Sequence, residues 1–470
     1  MPQTETATGF TTETFEAFLA SRDEPAWLTE QRRAAFAAFG ELPQPNSSME
    51  EWRRTDIRLL RLEKFAPAIE RGSEASLPEA LLTSGVSTSS IDEDELDQAT
   101  PLVEQMTGVV SEVDSAAAQL TLAGQSTALN SHSVTSELTE AYASQGVVFG
   151  SLDQLVSQHP DLVQKYLFTR AGNPRYDRFA ALHAAFWSGG TFLYVPRGVK
   201  IADPLHIQSC ITPGGADFGH TLVVLEDGAE ATLLAELSGG EQAGGLHCGG
   251  VEIIVGQGAF LRYVNLQNWD KSVWHFAHHK GLVEADGRLQ WTVGALGSKL
   301  SKVNQHVALV GPGANAQVNG VMFTEGKQHL DYHTLQHHEA KSCNSDLLYK
   351  GALQDNSRMV WRGMIKVDPG ADKTDGYQRN DNLMLSEDAR ADSIPGLEIE
   401  ADDVICTHGA TTGRVDDEQI FYAQARGLTR NEAIRVIVAG FFQQVFDRIT
   451  IPSVREALGH AIRRRIREYE

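Results

Sequence analysis

After Gly189-Gly190 the chain becomes a series of short apolar runs separated by turns of one style. Glu226-Asp-Gly-Ala, Gly256-Gln-Gly-Ala, Ala285-Asp-Gly-Arg, Gly311-Pro-Gly-Ala and Asp368-Pro-Gly-Ala carry the Asp/Gly and Pro/Gly chemistry of tight turns. The first four recur about every 26 to 30 residues, a period at which stacked repeats reveal themselves. Between them lie runs that read as strands, among them Thr191–Val195, Thr221–Leu225, Val251–Val255, Leu261–Leu266 and Val303–Val310. No helical pattern interrupts them. Strands laid turn upon turn predict a mainly β chain whose core, residues 186–412, is a parallel β-helix. A β-sandwich or cupin-like double sheet is the rival arrangement.

Both flanks read as helical. In the N-terminal region, 1–185, Phe15, Phe18, Leu19, Trp27, Leu28, Ala35 and Phe36 fall at helical spacing before Leu42-Pro-Gln-Pro45 breaks the pattern. Residues 67–145 are rich in Ser, Thr, Ala and acids with little periodicity, and read as a loosely packed linker. The C-terminal region, 413–470, opens with Asp416 and Gln419 as a capping box and Gly427 as a stop. Thr429 and Glu432 start a second helix, which Pro452 ends, and Ser453 with Glu456 starts a third. The third finishes in Arg463-Arg-Arg-Ile-Arg467, either a solvated helix end or a contact for an acidic partner. A β-helix has open ends, and the two helical regions are expected to cap them.

A formal net charge of −22 argues against nucleic-acid binding, which needs cations to displace counterions. No apolar stretch is long enough to span a membrane, and the N-terminus lacks a signal-peptide pattern. Four scattered cysteines without a CxxC pair fit a reducing cytoplasm. Cys210, Cys248 and Cys343 read as small core residues.

The chain has no P-loop, no GxGxxG after a strand, no GxSxG and no HExxH, so it is not expected to hydrolyse ATP itself. Adjacent acids such as Asp402-Asp403 point to opposite faces of a strand and are poor glycosidase pairs. Histidines concentrate between His247 and His338; on strands they read as a stacked polar ladder, or as metal or cofactor contacts. Cys406 and His408 differ from these. A thiol and an imidazole two residues apart share one face of an extended chain and can meet one metal ion or cluster edge. A four-ligand site would need the rest from elsewhere in the chain or from a second chain.

From His329 to about Arg448 the chain resembles the SufB/SufD family of the SUF iron–sulfur cluster assembly system. The resemblance rests on His329-Leu-Asp-Tyr-His333, Leu348-Tyr-Lys-Gly351, Lys373-Thr-Asp-Gly-Tyr-Gln378, Pro395-Gly-Leu-Glu-Ile399, Asp402-Asp-Val-Ile-Cys-Thr-His-Gly-Ala-Thr411, Glu418-Gln-Ile-Phe-Tyr422 and Ala425-Arg-Gly-Leu428. Glu51-Trp-Arg-Arg-Thr-Asp56 resembles the N-terminal region of the SufD type, and Gly409 stands where the SufB type usually has glutamate. The resemblance implies a right-handed parallel β-helix flanked by helices, acting as a non-catalytic scaffold. It implies a complex with a SufB paralogue and the ABC-type ATPase SufC, which would hydrolyse the ATP. His408, with Cys406 beside it, would help hold a transient iron–sulfur cluster shared with SufB. The region of Phe421, Tyr422, Arg426, Gly427, Phe441 and Phe442 would dock SufC. Whether a flavin binds, and whether the isolated chain forms homodimers, is left open. A β-helix polysaccharide lyase or hydrolase, and a flavin or metal oxidoreductase, are the alternative readings.

Overall fold

The computed structural model describes residues 8–67, 80–82, 120–239 and 244–467. Its strands are β1 (Gly124–Leu129), β2 (His132–Leu138), β3 (Val148–Ser151), β4 (Gly189–Val195), β5 (Leu205–Ile211), β6 (Ala216–Asp217) and β7 (Gly219–Leu225). There follow β8 (Glu230–Gly239), β9 (Gly245–Val255), β10 (Phe260–Trp269), β11 (Val273–Val283), β12 (Arg288–Ala295), β13 (Leu300–Leu309) and β14 (Asn315–Thr324). The last are β15 (His329–His338), β16 (Asn344–Leu353), β17 (Arg358–Val367), β18 (Thr374–Met384), β19 (Arg390–Ile399) and β20 (Val404–Arg414). From β7 onward even strands stack in one sheet and odd strands in the other, giving a parallel β-solenoid of about eight turns.

The turns explain the period. Gly198, Gly228 and Gly258 have φ of +72°, +69° and +64°, and each donates its N–H to a carbonyl in the turn one coil on, at Asp227, Gln257 and Ala285. Glycine takes this left-handed conformation without a Cβ penalty. Asp286, Gly313, Ser342 and Lys373 continue the stack at positive φ.

In-register parallel pairing keeps a side-chain row on one side of the sheet from coil to coil. Trp291, Val318 and Leu347 form such an inward row, and their side chains belong to the buried core between the sheets. The interior turns polar in the last coils. There Gln336 Nε2 donates to Ser345 Oγ at 2.7 Å, and Asn382 Nδ2 donates to Asn380 Oδ1 at 2.7 Å and Ser393 Oγ at 2.8 Å.

The helices are α1 (Thr12–Ala20), α2 (Ala26–Glu41), α3 (Glu140–Ala143), α4 (Leu152–Gln158), α5 (Pro160–Tyr166), α6 (Arg178–Phe186), α7 (Asp417–Ala425), α8 (Arg430–Phe446) and α9 (Pro452–Arg467). α6 lies on the odd sheet, where Phe179 stacks on Phe276 at 3.7 Å. The buried Arg32 of α2 ties to Glu24 at 2.7 Å and lies over Trp187. On the even sheet, Val438, Phe442, Val445, Leu458 and Ile462 share a core with Leu266, Val321, Phe323 and Leu348.

Three expectations are corrected. The C-terminal helices cover the flank of the even sheet and not the C-terminal end: among the described residues β19 and β20 each pair on one side only and are largely exposed. At the other end the antiparallel strands β2 and β3 extend the two sheets, and Tyr142 of the short helix between them packs against the core. β1 and β2 also fall within 67–145, so that part of the expected linker is sheet; residues 83–119 lie outside the described residues. Finally, Pro452 begins α9 and does not merely end α8, in keeping with the place of proline in a first helical turn.

Candidate metal centre

β20 forms the free edge of the even sheet. Its register with β18 pairs Gly376 with Cys406 and Gln378 with His408. Tracing these rows back leads from His408 through Gln378, Leu347 and Val318 to Trp291, all on the inward face. Cys406 and His408 therefore stand together at the mouth of the solenoid interior, about 7 Å apart along the strand. His408 is exposed; Cys406 is half-buried against Ile365, Val367, Ala371 and Val404. A Cβ on Gly376 would sit 3.3 Å from Cys406 Sγ, so the glycine leaves the thiol its room. Burial pushes the Cys406 thiol pKa up, with Asp375 adding to the effect and a backbone hydrogen bond from Gly376 opposing it. A metal that took this sulfur would have to displace its proton.

Opposite the pair, Leu397 and Ile399 of β19 are 38% and 39% exposed, and Ile405 on the outer face of β20 is 67% exposed. Sequence reading passed over this apolar rim, although Leu397 and Ile399 alternate as strand residues do. Among the described residues no group of three or more His, Cys, Asp or Glu is placed to hold a metal ion. A thiol and an imidazole thus share one face of an edge strand, two donors where a tetrahedral metal site needs four.

The other histidines do not join them. Between His247 and His338 two pairs stack, His247 on His275 at 4.8 Å and His306 on His337 at 5.6 Å, and outside that range His183 of α6 stacks on His220 at 5.2 Å. Burial pushes His279 and His306 down to about 3, so they stay neutral at ordinary pH. His333 and His337 share a face but have separate partners. His337 meets Glu339 at 3.2 Å and Asp368 at 2.9 Å. His333 bridges Asp331 at 3.0 Å and Glu51 at 2.7 Å, and Lys302 and Thr55 also bind Asp331. Burial opposes protonation of His333, but the hydrogen bond to Asp331, aided by Glu51, wins and holds its pKa above the usual imidazole value. This network clamps the Glu50–Trp52 turn to the odd sheet.

On the C-terminal helices Phe421 and Tyr422 are 71% and 55% exposed, and Arg426 donates to Tyr422 Oη at 2.8 Å. Gly427 takes φ +99° where α7 stops. Phe441 is half-buried under Lys350, and Phe442 is fully buried in the core, so it offers no surface to a partner.

Residues 209–441 match the family described as "SUF system FeS cluster assembly, SufBD core domain", and residues 120–207 match "SufBD protein N-terminal region". The chain is 35% identical to an iron-sulfur cluster assembly SufBD family protein of Mycobacterium leprae, over 61% of this chain and 74% of that one. It is 33% identical to a SufBD family protein of Mycobacterium tuberculosis, over 67% and 81%. It is 27% identical to the iron-sulfur cluster assembly protein SufB of Bacillus subtilis, over 93% and 88%.

Proposed function

The chain belongs to the SufBD family of iron–sulfur cluster assembly proteins, and from that premise we propose that it is a SufD-type scaffold subunit whose open end is half of a shared cluster site. The carrying observation is that Cys406 and His408 share the inward face of an edge strand, with no third ligand near them among the described residues. A SufB paralogue seated on β19 and β20 would bury Leu397, Ile399 and Ile405 and bring the missing thiolate and carboxylate ligands. The nascent cluster is cargo. Cys406 would bind iron as a thiolate after losing its proton, and His408 would complete the set as a neutral imidazole. Gly409 after His408 favours the SufD type.

α7 and α8 are the proposed dock for the ATPase SufC, with exposed Phe421, Tyr422 and Arg426 as its contacts. ATP hydrolysis then belongs to SufC, and this chain is the non-catalytic member. Four free thiols fit a reducing cytoplasm, and no helix among the described residues is long and apolar enough to cross a membrane. The test is anaerobic co-purification of this chain with the paralogue and ATPase, followed by iron and sulfide analysis. The complex should carry both elements, and His408→Ala should keep the complex and lose most of them. A His408→Ala complex with full iron and sulfide would refute the assignment.

A further inference from the structure

A concave groove of about 360 Å³ lies on the outer face of the even sheet, away from the terminal edge. Phe260 and Arg262 of β10, Arg288 and Gln290 of β12, Gln317 of β14 and Asp346 of β16 line it. The register sets Arg288 beside Phe260 and Gln290 beside Arg262. Both guanidiniums lie over the Phe260 ring, Arg262 at 4.3 Å and Arg288 at 4.7 Å from its centroid.

These two cations are out of keeping with their surroundings. The chain carries 62 acids against 40 Lys and Arg, and nearby cations have found carboxylates: Lys200 pairs with Glu230 at 2.5 Å and Arg448 with Asp346 at 2.7 Å. Arg262 and Arg288 have no carboxylate partner among the described residues. The aromatic ring holds them in place, so little side-chain freedom remains to be lost when an anion arrives. Their planar forks match the paired oxygens of phosphate or carboxylate.

The groove is built beyond the arginines. Gln290 Nε2 donates to Gln317 Oε1 at 2.8 Å and to the Arg448 carbonyl at 3.0 Å, which fixes the floor. Asp346 Oδ1 is buried without a hydrogen-bond partner, and so is Arg448 Nη1 beside it. β12 and β16 are two strand spacings apart, about 10 Å. We propose that this groove binds a small divalent oxyanion, phosphate or carboxylate in kind, with its charge between Arg262 and Arg288 and a hydroxyl or amino donor reaching Asp346. The site does not depend on the scaffold reading, since no groove residue belongs to β19 or β20.

Titration calorimetry on the full chain tests this, with inorganic phosphate in one arm and malate in the other, each a divalent oxyanion that also carries a hydroxyl donor. Saturable, salt-sensitive binding is expected in at least one arm, and the arm that responds identifies the source of the oxyanion. R262Q/R288Q should weaken it by about tenfold or more with an unchanged melting temperature, and R262K/R288K should fall between, since lysine keeps the charge but loses the fork. No saturable binding in either arm would overturn the proposal, as would undiminished affinity in R262Q/R288Q. Undiminished affinity in R262K/R288K would overturn the fork geometry on which it stands.

Discussion

His408 is exposed, so its removal should be felt in metal content and not in folding. His408→Ala is expected to change unfolding free energy by less than about 0.5 kcal/mol in urea titration. A loss of several times that would mean the ring has a structural role. Cys406 invites a second test. Cys210, Cys248 and Cys343 are buried, whereas Cys406 is only half-buried. Brief alkylation of the native protein, read by peptide mass spectrometry, should therefore label Cys406 first; prior labelling of any other cysteine would contradict the placement of β20. The pairing of Cys406 with His408 on one face was legible from their spacing alone, because strand alternation is local. The apolar rim at Leu397, Ile399 and Ile405 was not, because apolar alternation looks the same whether or not another element covers it.

Among the elements, β20 is joined to α8 through one chain of contacts. Thr411 Oγ1 donates to Asp381 at 2.5 Å, Asp381 pairs with Lys350 at 3.6 Å, and Lys350 Nζ donates to the Phe441 carbonyl at 2.9 Å. Both charged side chains are nearly buried. Asp381→Asn would leave the Lys350 ammonium without its counter-charge and is expected to cost about 3 kcal/mol in chemical denaturation; a cost under about 1 kcal/mol would show that the pair is not buried in solution. Turn chemistry and capping were readable at this scale. The Thr429–Glu432 box forms as its sequence says, while Asp416 caps α7 through the Glu418 N–H and not with Gln419. Tertiary placement was not readable. An amphipathic helix announces that one face is buried, not whether it lies on the flank or the end of a solenoid. β1 was missed for a related reason: Gly-Gln-Ser-Thr-Ala-Leu has weak strand character of its own and is recruited by pairing with β5.

Over the whole molecule the buried histidines set the response to pH. Burial holds His206, His329 and His338 down to about 4 and His279 and His306 down to about 3. Unfolded, each returns to about 6.5. As pH falls below that value the unfolded chain takes up protons that the folded chain refuses, so stability is lost progressively between about 6.5 and 4. His333 works the other way: its contribution is complete below about 6.5 and fades as pH rises through its elevated folded value. The depressed imidazoles outnumber the one elevated, and the melting temperature should fall from about pH 6.5 to 4; a flat or rising profile there would contradict the burial of these histidines. The solenoid itself was legible from its turn period.

That the solenoid ends unfinished, presenting a ligand pair to a second subunit, is tested most directly by amide hydrogen exchange across this chain with and without the paralogue. Slowed exchange concentrated in Arg390–Ile399 and Val404–Arg414 is the predicted result. Unchanged exchange there, with protection appearing on another face, would contradict it.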